Sequence, residues 1–210
     1  LEKDVMKKLI RGFLEHVAAP ESTAEDITIE TDSEADYGPA PLAAESIYEG
    51  YRVDYDLIAD LIEEGSRVLD IGCGDGALLQ ILRSKKNVEG MGLELAQGNI
   101  ISCVRRGVSV VQADIDKGLG ALPDRSYDYV ILSMTLQVIE KPELVLSEMV
   151  RVGRKCIVSF PNFGFWKVRA KTLLGKAPVT RSLPYSWYMS PNRHVLSIRD
   201  FREFCERHNL

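Results

Sequence analysis

The stretch Arg67 to Ala77, Arg-Val-Leu-Asp-Ile-Gly-Cys-Gly-Asp-Gly-Ala, constrains the fold of this chain more than any other. Val68, Leu69 and Ile71 make a buried-strand pattern, which breaks into glycine at every second position: Gly72, Gly74 and Gly76. The leucines and isoleucine that follow, up to Arg83, fall at helical spacing. The prediction is strand, tight turn, helix. A turn without Cβ atoms can take positive φ and let a ligand meet bare backbone. The free N–H groups and dipole of the next helix attract an anion, so a cradle for a nucleotide-type or carboxylate-bearing cofactor is expected.

Two cofactor classes compete, with a purely structural glycine turn as a third reading. Gly72-x-Gly74-x-x-Ala77 fits the dinucleotide fingerprint, and Glu94 follows at roughly the 20-residue spacing of a ribose contact. Against it stands Asp70, two residues before the first glycine, because a carboxylate beside two phosphates is repulsive. Asp-Ile-Gly-Cys-Gly-Asp-Gly resembles the first motif of class I S-adenosylmethionine-dependent methyltransferases. That resemblance implies S-adenosylmethionine as the cofactor, with Asp70 near the ammonium of its methionine moiety.

The four cysteines, Cys73, Cys103, Cys156 and Cys205, are widely spaced, with no Cys-x-x-Cys pair and no histidine cluster. Neither a disulfide framework nor a metal site is indicated, which suits a cytoplasmic protein. Cys73 reads as a small side chain in a tight turn rather than a nucleophile, since neighbouring carboxylates raise a thiol's pKa. No long apolar run or charged apolar leader is present, so no membrane association is expected. The chain begins at Leu1, which suggests part of a longer protein.

Charge divides the chain. Residues 1 to 65 carry 17 acidic against 5 basic side chains, and residues 66 to 210 carry 14 against 21. Such a split suggests regions of different origin. Residues 1–19 have an apolar stripe at helical spacing (Val5, Met6, Leu9, Ile10, Phe13, Leu14, Val17). Residues 20–46 hold eight acids and no base, the composition of a linker. Residues 47–210 are expected to form the domain, opening with a helix from Ile47 to Glu64 that stops at Gly65.

From Ser66 strands and helices alternate. Strands are predicted at Arg67–Ile71, Val88–Leu95, Val108–Ala113, Tyr127–Leu132 and Lys155–Phe160, and helices at Gly76–Ser84, Asn99–Arg106, Pro142–Val150 and Ser197–Arg207. This predicts an α/β fold, a doubly wound and mostly parallel sheet. The methyltransferase resemblance implies two further strands after the last helix, so the fragment is expected to lack them and to leave a sheet edge exposed.

Ligands of open parallel sheets bind beyond the carboxyl ends of the strands. The first strand ends at Asp70 and the glycine loop. The second ends at Glu94, whose carboxylate could accept from ribose hydroxyls. The third ends at Asp114 and Ile115, which resemble the family's adenine-binding position. The fourth ends at Ser133, facing the sulfonium and any acceptor. Asp70, Gly72, Gly74, Gly76, Glu94, Asp114, Ile115 and Ser133 are therefore the candidate cofactor-binding residues. For each acid the competing reading is a strand-end cap. No general base stands out: His16 and His208 lie in peripheral helices, and His194 reads as structural.

The segment Pro161 to Arg199 contains no acid, seven basic residues and a run of aromatics including Phe165, Trp166, Trp187 and Tyr188. It reads as a lid or a surface for a protein partner in preference to a nucleic-acid interface. Phe160-Pro-Asn-Phe-Gly-Phe-Trp166, Leu183-Pro-Tyr-Ser-Trp-Tyr188, Pro191-Asn-Arg-His194, Ser197-Ile-Arg-Asp-Phe201 and Thr135-Leu-Gln137 resemble the MetW family of methionine-biosynthesis proteins, over about Ile47 to Leu210. The resemblance implies a methyltransferase fold that supports homoserine O-acyltransferase, with no established methyl acceptor. Leu1 to Leu14 is similar to the closing helix of hydrolase-type homoserine acyltransferases, which implies a fusion of acyltransferase, acidic linker and MetW domain. The expected function is an S-adenosylmethionine-binding module acting with or fused to that enzyme. The alternative is methyl transfer to a small molecule.

Overall fold

Alternation of side chains along the strands explains the architecture. The computed structural model describes residues 52–180 and 183–210; the expectations for residues 1–19 and 20–46, and for the start of the helix at 47–51, lie outside the described residues. Helix α1 (Val53–Leu61) precedes strand β1 (Arg67–Ile71). Successive side chains of β1 point to opposite faces: Val68 joins one apolar cluster, Leu69 and Ile71 the other. In β4 (Tyr127–Ser133) Tyr129 and Ile131 join the first cluster and Val130 and Leu132 the second. A strand apolar on both faces is stable only between two helical layers.

The remaining elements supply those layers. Helix α2 (Ala77–Lys86) adds Leu78, Leu79 and Leu82 to the first cluster, and α3 (Gln97–Arg105) adds Cys103. Between and after them run β2 (Glu89–Glu94) and β3 (Ser109–Gln112). On the other face α4 (Pro142–Val152) buries Val145, Leu146, Met149 and Val152, and Phe201 of α6 (Ile198–His208) packs its ring 5.2 Å from that of Phe160. Helix α6 starts at a capping box in which Ser197 and Asp200 satisfy each other's backbone N–H groups.

Among the described residues the sheet has five parallel strands in the order β3-β2-β1-β4-β5, with β5 spanning Gly153–Ser159. The chain winds outward from β1 to β3 and then returns to the other side of β1. The reversal between β1 and β4 opens a crevice at their carboxyl ends.

Boundaries moved where long-range pairing decides them. Strand β5 begins at Gly153, two residues before the predicted start, because Gly153 pairs with Tyr127 and a Cβ there would lie 2.6 Å from Val130. Helix α1 ends at Leu61, short of Glu64, and Gly65 turns the chain at φ +70°, its N–H donating to the Lys86 carbonyl at 2.8 Å. A short helix, α5 (Trp166–Leu173), falls in the aromatic segment, where none was predicted. No helix among the described residues is long and apolar enough to cross a membrane.

Candidate functional site

At the crevice lies a cleft of about 670 Å³. It is lined by Asp70, Gly72, Gly74, Glu94, Asp114, Ile115 and Ser133, seven of the eight residues singled out in the sequence. Gly76 is not part of the lining. It caps α2 in the left-handed conformation, and a Cβ there would meet Cys103 Sγ at 2.9 Å, so its role is to bring α2 against α3.

Asp70 sits at the floor. Its residue is 2% exposed, and its Oδ1 has no hydrogen-bond partner among the described residues. Burial pushes its carboxyl up to about 7, against the pull of the Arg52 guanidinium and with a further push from Glu94. A buried carboxylate oxygen left unsatisfied carries a desolvation cost. The same burial, with Asp70 alongside, pushes the Cys73 thiol far above its usual range, so it is an inert space-filling side chain.

The glycine loop differs from the sequence-based expectation of an anion cradle. Gly72 and Cys73 N–H both donate to the Leu93 carbonyl, at 2.8 and 3.1 Å. Gly76 N–H donates to Cys73 O at 3.0 Å, and Ala77 N–H to Asp75 Oδ1 at 3.1 Å. Gly74 N–H donates to Glu94 Oε2 at 2.9 Å. Five amides of the turn are thus already bonded within the protein and do not offer the phosphate nest of a dinucleotide site. Gly72 keeps the loop against the β4 end: it lies at φ +69°, and a Cβ would meet Thr135 Cγ2 at 2.7 Å. Gly74, at φ +57°, faces open space.

Glu94 does two jobs at once. Its Oε1 accepts from the N–H groups of Leu95 and Ala96, both at 2.9 Å, while Oε2 holds Gly74. Asp114 behaves as a strand-end cap, accepting from Asp116 N–H and pairing with Lys117 at 3.1 Å, an interaction that holds its carboxyl below the usual range. Ser133 Oγ is wired to Ser159 Oγ at 3.1 Å and to α1, accepting from Arg52 Nη2 at 2.9 Å and donating to Asp54 Oδ2 at 3.2 Å.

Sequence reasoning missed Arg52 and Tyr55 of the α1 region, which also line the cleft. Arg52 lies over the Tyr55 ring at 4.3 Å and donates to its hydroxyl at 3.1 Å. Burial pushes that phenol up to about 12, so it remains a neutral hydroxyl. Nothing local marks these residues, since α1 reaches the strand ends only through the tertiary fold. Arg106, also in the lining, clamps Asp75 at 2.6 Å.

Six carboxylates (Asp56, Asp70, Asp75, Glu94, Asp114, Asp116) and two guanidiniums (Arg52, Arg106) line the cleft, a balance that disfavours a diphosphate and favours a cation. Among the described residues no histidine or lysine lines it. His194 instead bonds the Ile139 carbonyl through Nε2 at 2.9 Å, tying its loop to the segment after β4. None of the described residues between 161 and 199 lines the cleft; Trp187 and Tyr188 stand exposed with their rings at 5.6 Å. Among the described residues no group of three or more His, Cys, Asp or Glu is arranged to hold a metal ion.

This sheet order, with acids at the ends of β1 and β2 flanking a glycine turn, defines a protein of the class I S-adenosylmethionine-dependent methyltransferase fold. A methyltransferase from Thermotoga maritima, described as a possible histamine N-methyltransferase, superposes with a TM-score of 0.56 at 22% identity over 74% of this chain and 68% of that one. Another, from Archaeoglobus fulgidus, gives 0.55 at 19% identity over 73% and 68%. The family model for methionine biosynthesis protein MetW matches residues 52–210, and the chain belongs to that family. It is also 38% identical over 168 residues to the bifunctional methionine biosynthesis protein MetXA/MetW of Rhodopirellula baltica. That match takes in 75% of this chain but only 27% of the relative's length.

Proposed function

We propose that the cleft binds S-adenosylmethionine and that the domain acts with, or fused to, a homoserine O-acyltransferase in methionine biosynthesis. The observation that carries the cofactor reading is Asp70 Oδ1, buried without a partner in a cleft whose loop amides are already bonded. Such a site suits a nucleoside bearing an ammonium and no phosphate. Asp70 would hold the ammonium, Glu94 the ribose hydroxyls, and the Asp114–Ile115 turn the adenine, while Gly74 leaves room for backbone approach. When bound, this cofactor supplies an electrophilic methyl group. The residues around it bind, orient and exclude water.

The partner reading is supported by the relative that joins MetXA and MetW in one chain. The division into residues 1–19 as the end of a preceding domain, 20–46 as an acidic linker and 47–210 as the MetW domain belongs to the same proposal. Methyl transfer to a small molecule is the second reading, favoured by the Tyr55 and Ser133 hydroxyls, which could hold an acceptor there.

Calorimetry with S-adenosylmethionine and with NAD tests the cofactor: binding of the first and not the second is expected, and the reverse ends the reading. Copurification with a homoserine O-acyltransferase, and that enzyme's activity with and without the domain, tests the partner. No complex and unchanged activity would remove it. Labelled methyl appearing in a metabolite would establish the second reading.

A further inference from the structure

Half of the large apolar side chains that stand exposed among the described residues fall between Phe165 and Ile198, within the stretch 161–199 that carries seven bases and no acid. Single exposed apolar residues need no explanation, but such a concentration marks an interaction surface. Helix α5 shows how it is arranged. Its one buried side chain, Val168, is 5% exposed. With about 3.6 residues per turn, Trp166, Ala170 and Leu173 fall on the side opposite Val168, in a row at the four-then-three spacing of a helix seam. Trp166 is 50% and Leu173 46% exposed, and Leu174 extends the row past the helix end. The helix is therefore apolar on two sides, one held by the domain and one turned to solvent. Lys167 and Lys171 run along one flank of the exposed row and Arg169 along the other. Neither lysine pairs with an acid among the described residues: Lys171 Nζ donates to the Val179 carbonyl at 3.0 Å, and Lys167 Nζ lies 5.5 Å from the centre of the Trp166 ring.

We infer that α5 is a docking helix, whose Trp166–Ala170–Leu173 row and basic flanks receive an acidic amphipathic helix of a protein partner. The spacing and the charge fix that chemistry. A four-then-three row matches the side chains of a second helix laid along it, with apolar anchors in the seam and flanking charges choosing the partner. Flanks of one sign attract the other and repel a basic helix. Leucines continue the row from Trp166, which suits aliphatic side chains better than a stack of bases. The inference rests on the partner reading above and deepens it, by naming the face and the chemistry through which the acyltransferase holds the domain. None of these residues lines the cofactor cleft, so docking leaves that cleft open.

Calorimetry of the full chain against a homoserine O-acyltransferase, at low and high salt, tests it. Trp166→Ser is expected to weaken the complex by about tenfold or more, the scale of a buried aromatic anchor. A charge series sets the sign: Lys167→Gln/Lys171→Gln should weaken binding several-fold and Lys167→Glu/Lys171→Glu more, with the salt dependence of the parent reduced in both. Thermal melting and S-adenosylmethionine affinity should not move in these variants, whose altered side chains are exposed and lie off the cleft. Hydrogen exchange on the complex should protect an acyltransferase segment with acids flanking an apolar row. Binding unchanged by Trp166→Ser, or tightened by Lys167→Glu/Lys171→Glu, would overturn the inference and leave the partner reading standing. Self-association of the chain in sedimentation, or its binding to phosphatidylglycerol vesicles, would do the same if Trp166→Ser abolished it, by giving the face to a second copy or to lipid. Failure of the parent chain to bind the acyltransferase would instead overturn the partner reading, and this inference with it.

Discussion

Glu94 Oε2 accepts the Gly74 N–H at 2.9 Å, so the acid at the end of β2 holds the glycine turn at the end of β1 in place. With Leu95 and Ala96 on its other oxygen, one carboxylate fixes three backbone amides at the mouth of the cleft. Glu94→Ala should therefore lower stability by about 1–2 kcal/mol in urea unfolding, in addition to weakening the nucleoside. Unchanged stability would mean that the loop holds its shape without it.

The two loop glycines should respond differently to alanine. Gly72→Ala adds a Cβ 2.7 Å from Thr135 Cγ2 at positive φ, and a loss of about 2–3 kcal/mol is expected, partly recovered in a Gly72→Ala/Thr135→Ala double variant. Gly74→Ala meets no atom within 4 Å and should cost only the strain of its φ, about 1 kcal/mol, while placing a methyl where the ligand approaches. Denaturant midpoints and S-adenosylmethionine titration of the two variants separate folding from binding.

Asp70 makes stability depend on pH in a definite direction. Its carboxyl is raised from 3.8 to about 7 by burial, so between those values the folded state binds more protons than the unfolded one. Stability of the free protein should fall as pH rises from about 4 to about 7, by up to about 1.4 kcal/mol per pH unit from this group, and flatten above. Asp70→Asn should remove that slope. An ammonium ligand selects the carboxylate, so its affinity should rise over the same window and lose that dependence in the variant.

Met149 is fully buried in the cluster beneath β4 and α4, far from the glycine loop in sequence. Met149→Ala should cost about 2–5 kcal/mol by chemical denaturation, the range for truncating a core side chain. Its effect on ligand affinity, measured where the variant is still folded, should be small.

How much of this was legible depended on the range of the interaction that decides each feature. Strand β1 was predicted residue for residue, because Val68, Leu69 and Ile71 before a glycine run leave no other local solution. Helix α6 was placed within a residue of its observed ends, and the Ser197–Asp200 capping box that starts it is itself a local interaction. Helix α5 escaped: its apolar positions are few, and the basic and aromatic side chains around Trp166 read as a surface. The start of β5 also escaped, since Gly153 is a strand residue only by virtue of Tyr127 opposite it.

By itself the sequence determined the order of the strands and of the helices other than α5, the glycine turn, and the acids at three strand ends, because periodicity and backbone sterics act over a few residues. Only the tertiary structure decided that the turn's amides are satisfied internally, that Asp70 keeps an unpartnered oxygen, and that Arg52 and Ser133 meet across 81 positions. Those outcomes rest on which strands lie side by side. The packing of both sheet faces sets that arrangement, and no local pattern encodes it.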